Sequence, residues 1–331
     1  MRIVEVENTG IVAERLSNSL CKWSGLSGAT WNLINHTENA TFLISLANGS
    51  KKVLRVHRAG YNTPLAVQSE LIWSKALRND TGMFTPIAIA GVNGELVQHE
   101  CLGENAESQM MVLFEFEEGR EPAETEKLEA SFIQLGKLAA SAHEHTQNWQ
   151  QPEQFDRLHW TANSILKPQG LWGDWRQAPG MSDEIRPVFD HLDLVLRLRL
   201  QDFGFDKSRY GLIHADMRLA NLLVHDGQVK LIDFDDCGFC WNMYDFAAAI
   251  SFMEDSPKIP TLKKAWLKGY RSFRELSKVD EAEMDTFVML RRMALTAWIG
   301  SHRETPFAKS LAGDFVSRGA ALAEQYLSEF G

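Results

Sequence analysis

His214, Asp216, Asn221 and Asp233 fall within one short stretch, Leu212 to Phe234, reading LIHADMRLANLLVHDGQVKLIDF. Their types and spacing suit phosphoryl transfer: two oxygen-bearing groups that can hold Mg²⁺, and a carboxylate that can orient an attacking hydroxyl. Gly211 to His214 reads as a strand ending in a polar loop. Asp216 follows on an irregular turn, able to point into a cleft. Asn221 opens a second apolar run, and His225-Asp226-Gly227-Gln228 is a turn with Asp-Gly at its centre. Val229 to Ile232 then returns as a strand and delivers Asp233. Such a hairpin brings Asn221 and Asp233 to the same end of two paired strands. An amide oxygen and a carboxylate are hard ligands, suited to Mg²⁺ held by few protein groups plus nucleotide phosphates. Asp216, one loop away, can accept the proton of a hydroxyl that attacks the γ-phosphorus. A hairpin with solvated turn acids would explain any one of these residues, but not H-x-D-x-x-x-x-N followed by a hairpin and I-D-F.

This stretch resembles the catalytic and metal loops of the aminoglycoside phosphotransferase and choline kinase superfamily, a branch of the protein-kinase-like fold. Members show H-G-D-x-x-x-x-N, a hairpin and I-D-[FWL]; here Ala215 stands where Gly is common. Within the superfamily the chain is most similar to bacterial phosphotransferases grouped with type II homoserine kinase and the stress-response kinase. The resemblance runs from about Trp31 to Ala249 and is most specific at the hairpin. It implies an α+β, two-lobed fold. A small antiparallel β-sheet lobe over residues 1–115 would bind nucleotide. A large, mainly helical lobe over residues 116–331 would carry the chemistry and the acceptor. It implies ATP and Mg²⁺ as cofactors, Asp216 as the catalytic group, and Asn221 and Asp233 as metal ligands.

The remaining sequence accommodates such a fold. A chain of 331 residues is long enough for two domains, and 44% hydrophobic with 24% charged residues is an ordinary globular composition. The net charge of −10 disfavours general nucleic-acid binding. No apolar run approaches a membrane span, the N-terminus lacks a signal-peptide core, and four cysteines do not make a disulfide scaffold. The expected setting is the cytoplasm. The first third reads as strands at Thr30–Asn35, Ala40–Leu46, Lys52–His57, Thr85–Ala90, Leu96–Cys101 and Met110–Phe116, with a helix over Thr63–Arg78. After that the chain reads as mostly helical, with stripes from Leu128, over Met289–Ile299 and over Ala308–Tyr326.

Within the resemblance, Lys52 to Val56 corresponds to the phosphate-anchoring strand. Arg55 is then the phosphate anchor, and Glu70 on the next helix is the acid that orients it. Guanidinium can bridge phosphate oxygens with a fixed fork. The turn His36-Thr37-Glu38-Asn39 takes the place of a Gly-rich loop, with Asn39 and nearby backbone as phosphate contacts. The hinge falls at Phe114-Glu115-Phe116, where adenine would meet the backbone of Glu115 and Phe116. Asp245, in a Tyr-Asp-Phe-Ala helix start, is expected to support the catalytic loop.

The acceptor is open on sequence grounds: an amino alcohol, a hydroxy amino acid, a sugar or an aminoglycoside. Asp235, Asp236, Arg218, Trp172, Trp175 and Trp241 are candidate pocket residues, with Asp174, His302 and Arg303 beside them. Aromatics with acids would suit a cationic amine, whereas Arg218 would suit a carboxylate. Packing inside the helical lobe is the alternative for each tryptophan. Other readings are Ser/Thr protein phosphorylation of the stress-response type, a nucleotide-binding pseudokinase, and a redox or zinc protein built on Cys237-Gly238-Phe239-Cys240. His143 and His145 are expected to pack at a helix end rather than bind metal.

Overall fold

Strand β2 (Ala40–Ser45) alternates buried and half-buried residues along its length, the period of a strand with one face in a core. It lies in an all-antiparallel six-stranded sheet with β1 (Thr30–His36), β3 (Lys51–Val56), β4 (Ala88–Ile89), β5 (Gln98–Glu100) and β6 (Gln109–Glu115). The strand order is β1-β2-β3-β6-β4, and β5 pairs with β6. The computed structural model describes residues 10–36, 39–102 and 108–331. The chain divides into two units, Met1–Gly119 with Gln151–Asp156, and Arg120–Gln150 with Arg157–Gly331.

In the first unit the sheet has two different faces. Phe42, Ile44, Leu54, Val56, Met111 and Leu113 share one core with Leu16, Leu20 and Trp23. The last three come from α1 (Gly10–Ser19) and the turn after it, elements that strand-and-helix patterning did not anticipate. On the other face Val112 and Phe114 meet Val67 and Leu71 of α2 (Pro64–Thr81). The Thr63 hydroxyl accepts the Ala66 N–H at 3.0 Å to start α2, and Gly82 ends it with φ 70°. The strand expected over Thr85–Ala90 shrinks to two residues, because Pro86 has no N–H to give a ladder.

The second unit is helical around three small strand pairings. Its helices are α3 (Glu129–Asn148), α4 (Ala162–Leu166), α5 (Arg186–Phe203), α6 (Tyr244–Ala249), α7 (Ile259–Arg271), α8 (Lys278–Ala282), α9 (Met284–Ser301), α10 (Pro306–Leu311) and α11 (Phe315–Phe330). The single helix expected over Ala308–Tyr326 is broken into α10 and α11 around Gly313, a poor helix former. Helices α3 and α7 approach through reciprocal glycines. A Cβ on Gly136 would stand 2.1 Å from the Trp266 carbonyl oxygen, and one on Gly269 would stand 1.9 Å from that of Ile133. Only glycine permits two backbones to come this close. None of the described helices is long and apolar enough to cross a membrane.

Strand β11 (Gly238–Trp241) pairs antiparallel with β8 (Tyr210–Ile213) and parallel with β7 (Leu158–His159). It contains most of the Cys-Gly-Phe-Cys element. Cys237 and Cys240 are buried thiols, and a Cβ on Gly238 would lie 2.4 Å from the Leu158 carbonyl oxygen. No group of three or more His, Cys, Asp or Glu side chains able to hold a metal occurs among the described residues. The glycine of that element serves the sheet: it lets β7 and β11 come together.

Strands β9 (Leu222–His225) and β10 (Gln228–Leu231) form the hairpin read from the sequence. Its two-residue loop has φ 49° at Asp226 and φ 74° at Gly227, the left-handed pair that a tight hairpin of right-handed twist requires. The hairpin does not stand alone. The Gln134 side chain of α3 donates to the Gly227 carbonyl at 2.8 Å and accepts the Val229 N–H at 2.9 Å. Arg120 and Val224 exchange backbone hydrogen bonds at 3.1 and 2.8 Å along the outer edge of β9.

Candidate active site

Strand β8 delivers His214 into a turn whose central residue, Ala215, has φ 65°. This left-handed conformation explains why glycine suits the position and why alanine there carries strain. Both sides of Ala215 are gripped. Its N–H donates to Asp245 Oδ1 at 2.7 Å, and its carbonyl accepts from Arg291 Nη1 at 3.2 Å. Asp216 follows, its side chain mostly buried. One carboxylate oxygen is ion-paired with Arg291 of α9; the other accepts Asn221 Nδ2 at 2.6 Å and Arg218 Nε at 3.3 Å. Burial alone would raise the Asp216 carboxyl, but the positive charges of Arg291 and Arg218 outweigh it and hold it below the usual carboxylate range.

Asn221 ends a single 3-10 turn, Leu219–Asn221, and its Nδ2 also donates to the Asp216 carbonyl at 2.9 Å. With the amide nitrogen committed to Asp216, Oδ1 is the atom left to face a cation. Leu222 pairs with Leu231, and the Ile232 N–H donates to the Asn221 carbonyl at 2.9 Å. The ladder therefore ends with Asn221 beside Ile232, and Asp233 is the next residue. Asp233 has φ 60°, and its carboxylate accepts the Asp235 N–H at 3.4 Å. Two hard oxygens at one end of a hairpin fit Mg²⁺, which keeps few protein ligands and completes its shell with phosphate and water.

His214 ties the two halves of this site together. Its Nδ1 accepts the Asp216 N–H and its Nε2 lies against the Ile232 carbonyl, both at 3.3 Å. That pairing assigns the neutral tautomer with hydrogen on Nε2. The ring packs on Phe234, centroids 4.5 Å apart, which gives the Phe of I-D-F a role. Asp245, at the start of α6, accepts from the His214 and Ala215 N–H groups and from His143 Nε2 at 2.9 Å. His143 Nδ1 accepts the Tyr270 hydroxyl at 3.0 Å, and that oxygen accepts from Arg274 at 2.9 Å. Burial lowers the proton affinity of His143 against the pull of Asp245, so it works as a neutral link.

Three supporting residues escaped the sequence reading. Arg291 is fully buried and its guanidinium lies 4.7 Å from the Trp172 ring centroid. Arg157 donates to the carbonyls of Asp235 and Cys237, and Trp160 Nε1 donates to the Asp236 carbonyl at 2.8 Å. Together they fix the backbone just after Asp233. The available signal for Arg291 was a pair of arginines inside an otherwise apolar helix run, since a charge there demands a buried partner. Its neighbour Arg292 has one too, Glu254, at 2.7 Å and fully buried.

In the first unit, Arg55 Nη2 contacts both carboxylate oxygens of Glu70 at 2.8 and 2.7 Å. Arg55 points from β3 toward the α2 face of the sheet, its guanidinium 5.1 Å from the Phe114 ring. Glu70 sits in the buried stripe of α2 between Val67 and Trp73, a place an acid occupies only with a partner. Asn39 uses its side-chain oxygen on the Arg58 N–H at 3.1 Å, tying two strand ends together. Thr37 and Glu38 of the expected phosphate turn lie outside the described residues. The Glu115 N–H is committed to the Ile87 carbonyl at 2.9 Å, and its carboxylate pairs with Lys52. A base reading the hinge through an amide would thus have to use a residue beyond Glu115, and Phe116 is the first one past the strand.

The acceptor candidates separate. Arg218 reaches Asp216, and Trp172 reaches it through Arg291. Trp175 and Trp241 are interior packing residues. Trp175 is wholly buried against Phe189 and the Arg176 guanidinium. Trp241 packs among Phe205, Tyr210 and Phe287 and spends its N–H on the Gly204 carbonyl at 2.7 Å. The Asp235 side chain is buried, while Asp236 is half-buried. His302 stacks on Trp298.

Residues 30–281 match the phosphotransferase enzyme family. The structure of a microcompartment-associated aminopropanol kinase aligns with a TM-score of 0.88 and 37% identity, covering 96% of this chain and 98% of that one. Amicoumacin kinase of Bacillus subtilis (strain 168) is 25% identical over 239 residues, 69% of this chain and 68% of its own. The amicoumacin kinase hAmiN, in complex with AMP-PNP, Ca²⁺ and Ami, shares the fold at a TM-score of 0.74 and 18% identity, covering 97% of this chain and 96% of its own. With a protein-kinase-like α+β fold and a family match spanning most of its length, this chain belongs to the phosphotransferase enzyme family.

Proposed function

We propose that this chain is a cytoplasmic, ATP- and Mg²⁺-dependent kinase that phosphorylates the hydroxyl of a small amino alcohol. The observation that carries the reading is the constellation on the second unit: Asp216 clamped at the end of β8, with Asn221 and Asp233 at the paired ends of one hairpin. The likeness to an aminopropanol kinase over nearly the whole chain supports the acceptor class. The AMP-PNP and Ca²⁺ bound by an amicoumacin kinase support the use of a nucleotide and a divalent ion.

In this reading Asp216 accepts a hydrogen bond from the acceptor hydroxyl and aims its oxygen at the γ-phosphorus. A carboxylate held at low proton affinity is a weak base, so its main work is orientation, and the proton arrives late. A loose phosphoryl transition state needs little base assistance, which makes that division of labour sufficient. Asn221 and Asp233 would hold Mg²⁺, which when bound supplies charge to offset the phosphate oxygens. Arg55, steadied by Glu70, is proposed to anchor phosphate, with Asn39 shaping the nearby turn and Phe116 following the hinge strand. Residues 1–115 would thus supply nucleotide contacts, and residues 116–331 the chemistry and acceptor site. Trp172 and Arg218, with Asp236, are the proposed acceptor-side residues.

An ADP-release screen tests this, with 1-amino-2-propanol, ethanolamine, choline, homoserine, simple sugars, kanamycin and a protein substrate in parallel. The expected result is greatest turnover with an amino alcohol, and a phosphate monoester product by phosphorus NMR. Asp216→Ala should lose about 10³-fold in turnover while keeping nucleotide affinity. Turnover with the protein substrate alone would overturn the acceptor class, and an undiminished Asp216→Ala enzyme would overturn the role of Asp216.

A further inference from the structure

We infer that Arg291 is a positioning residue for the reaction, holding the Asp216 carboxylate in its working orientation from the protein interior. The inference rests on the reading of Asp216 as the group that meets the acceptor hydroxyl. Arg291 lies near the middle of α9, and all three of its nitrogens are engaged. Nη2 pairs with Asp216 Oδ1, Nη1 donates to the Ala215 carbonyl at 3.2 Å, and Nε donates to Ser251 Oγ at 2.9 Å. The guanidinium also lies near two rings, 4.7 Å from the Trp172 centroid and 5.7 Å from that of Tyr244. A guanidinium with a partner at every nitrogen has little freedom to swing, so it restrains the carboxylate oxygen that it holds.

The same grip explains the backbone. Ala215 stays left-handed because its N–H is fixed by Asp245 and its carbonyl by Arg291. Each of these partners comes from a different helix, α6 and α9. Of the other contacts to Asp216, Asn221 meets only the second oxygen, and Arg218 approaches at 3.3 Å from a partly exposed position. Neither replaces the hold on Oδ1. Without Arg291 the carboxylate could turn toward Arg218 and leave the acceptor misaligned, an error to which transfer rates are very sensitive.

The test compares wild type, Arg291→Met, Arg291→Lys, Ser251→Ala and Asp216→Ala. Phosphoryl transfer to 1-amino-2-propanol is measured alongside slow ADP release with water as acceptor, so that a poor choice of alcohol does not void the comparison. Arg291→Met should lower kcat about 100-fold in either assay while KM for ATP stays within about twofold. Arg291→Lys should recover about tenfold of that loss, since an ammonium can hold one oxygen but not the full fork. Ser251→Ala removes only the Nε contact; it should lower kcat about threefold without moving the melting temperature, and it decides the matter if Arg291→Met does not fold. The inference is overturned if Arg291→Met keeps kcat within about twofold of wild type, or if kcat, KM for ATP and melting temperature all fall together with no recovery by Lys. It is likewise overturned if Arg291→Met does not fold and Ser251→Ala keeps wild-type kcat. Full activity in Asp216→Ala would instead overturn the underlying reading of Asp216.

Discussion

At the scale of single residues, the site depends on two backbones held left-handed without glycine, Ala215 and Asp233. Ala215→Gly relieves strain but loses a buried methyl and gains chain entropy in the unfolded state. Its stability should stay within about 1 kcal/mol of wild type in a urea melt. Ala215→Val puts a β-branched side chain in that conformation inside a closed space and should cost about 3 kcal/mol or more. Asp233→Ala should weaken nucleotide binding about tenfold or more when Mg²⁺ is present and much less when it is chelated, as read by calorimetry; equal affinities in both conditions would remove Asp233 from the metal site. The types and order of Asp216, Asn221 and Asp233 were legible because one short stretch around a local hairpin carries them. Arg291 was not, because it reaches Asp216 across 75 positions of sequence and no local pattern records such a contact. Trp175 and Trp241 stayed open between pocket and core for a related reason: a tryptophan's type does not say whether its ring lines a pocket or fills a core.

At the scale of elements, a two-stranded hairpin is marginal by itself. Its accuracy is borrowed from Gln134 on α3 and from the Arg120 backbone. Gln134→Ala should cost about 1–2 kcal/mol in stability and loosen metal-nucleotide binding although Gln134 touches neither; unchanged binding by calorimetry would mean the hairpin holds its shape unaided. Gly269→Ala would drive a methyl into the Ile133 carbonyl, and the α3–α7 pair cannot part without moving Gln134 and His143, so a loss of about 3 kcal/mol or more is expected. The hairpin turn was readable because Asp-Gly permits few alternatives. Strand β11 was not, because a four-residue run that opens on glycine is too short to stand out until β7 and β8 pair with it. Helix α1 was missed because its apolar residues gain their meaning only against the sheet.

At the scale of the whole molecule, the helical unit is wired by buried polar links running from Arg274 through Tyr270, His143 and Asp245 to the backbone of the catalytic turn. Folded His143 resists protonation, whereas the unfolded chain takes up a proton below the ordinary imidazole value of about 6.5. Stability should therefore fall as pH drops below about 6.5, and level off once pH passes beneath the folded value. Asp216 adds a window that opens lower: its depressed carboxyl stabilises the fold above the ordinary aspartate value and loses that effect on further acidification. His143→Gln should flatten the upper limb of a urea-midpoint profile and leave the lower one; an unchanged upper limb would assign it to other groups. The four cysteines divide evenly between the units. Cys21 and Cys101 are exposed, whereas burial raises Cys240 against ionisation and Cys237 is covered beside it. A thiol-exchange reagent added to the native protein should consume two equivalents at once and the remaining two only as fast as the helical unit opens. The enzyme thus carries its own clock for local unfolding, readable by mass without any introduced label.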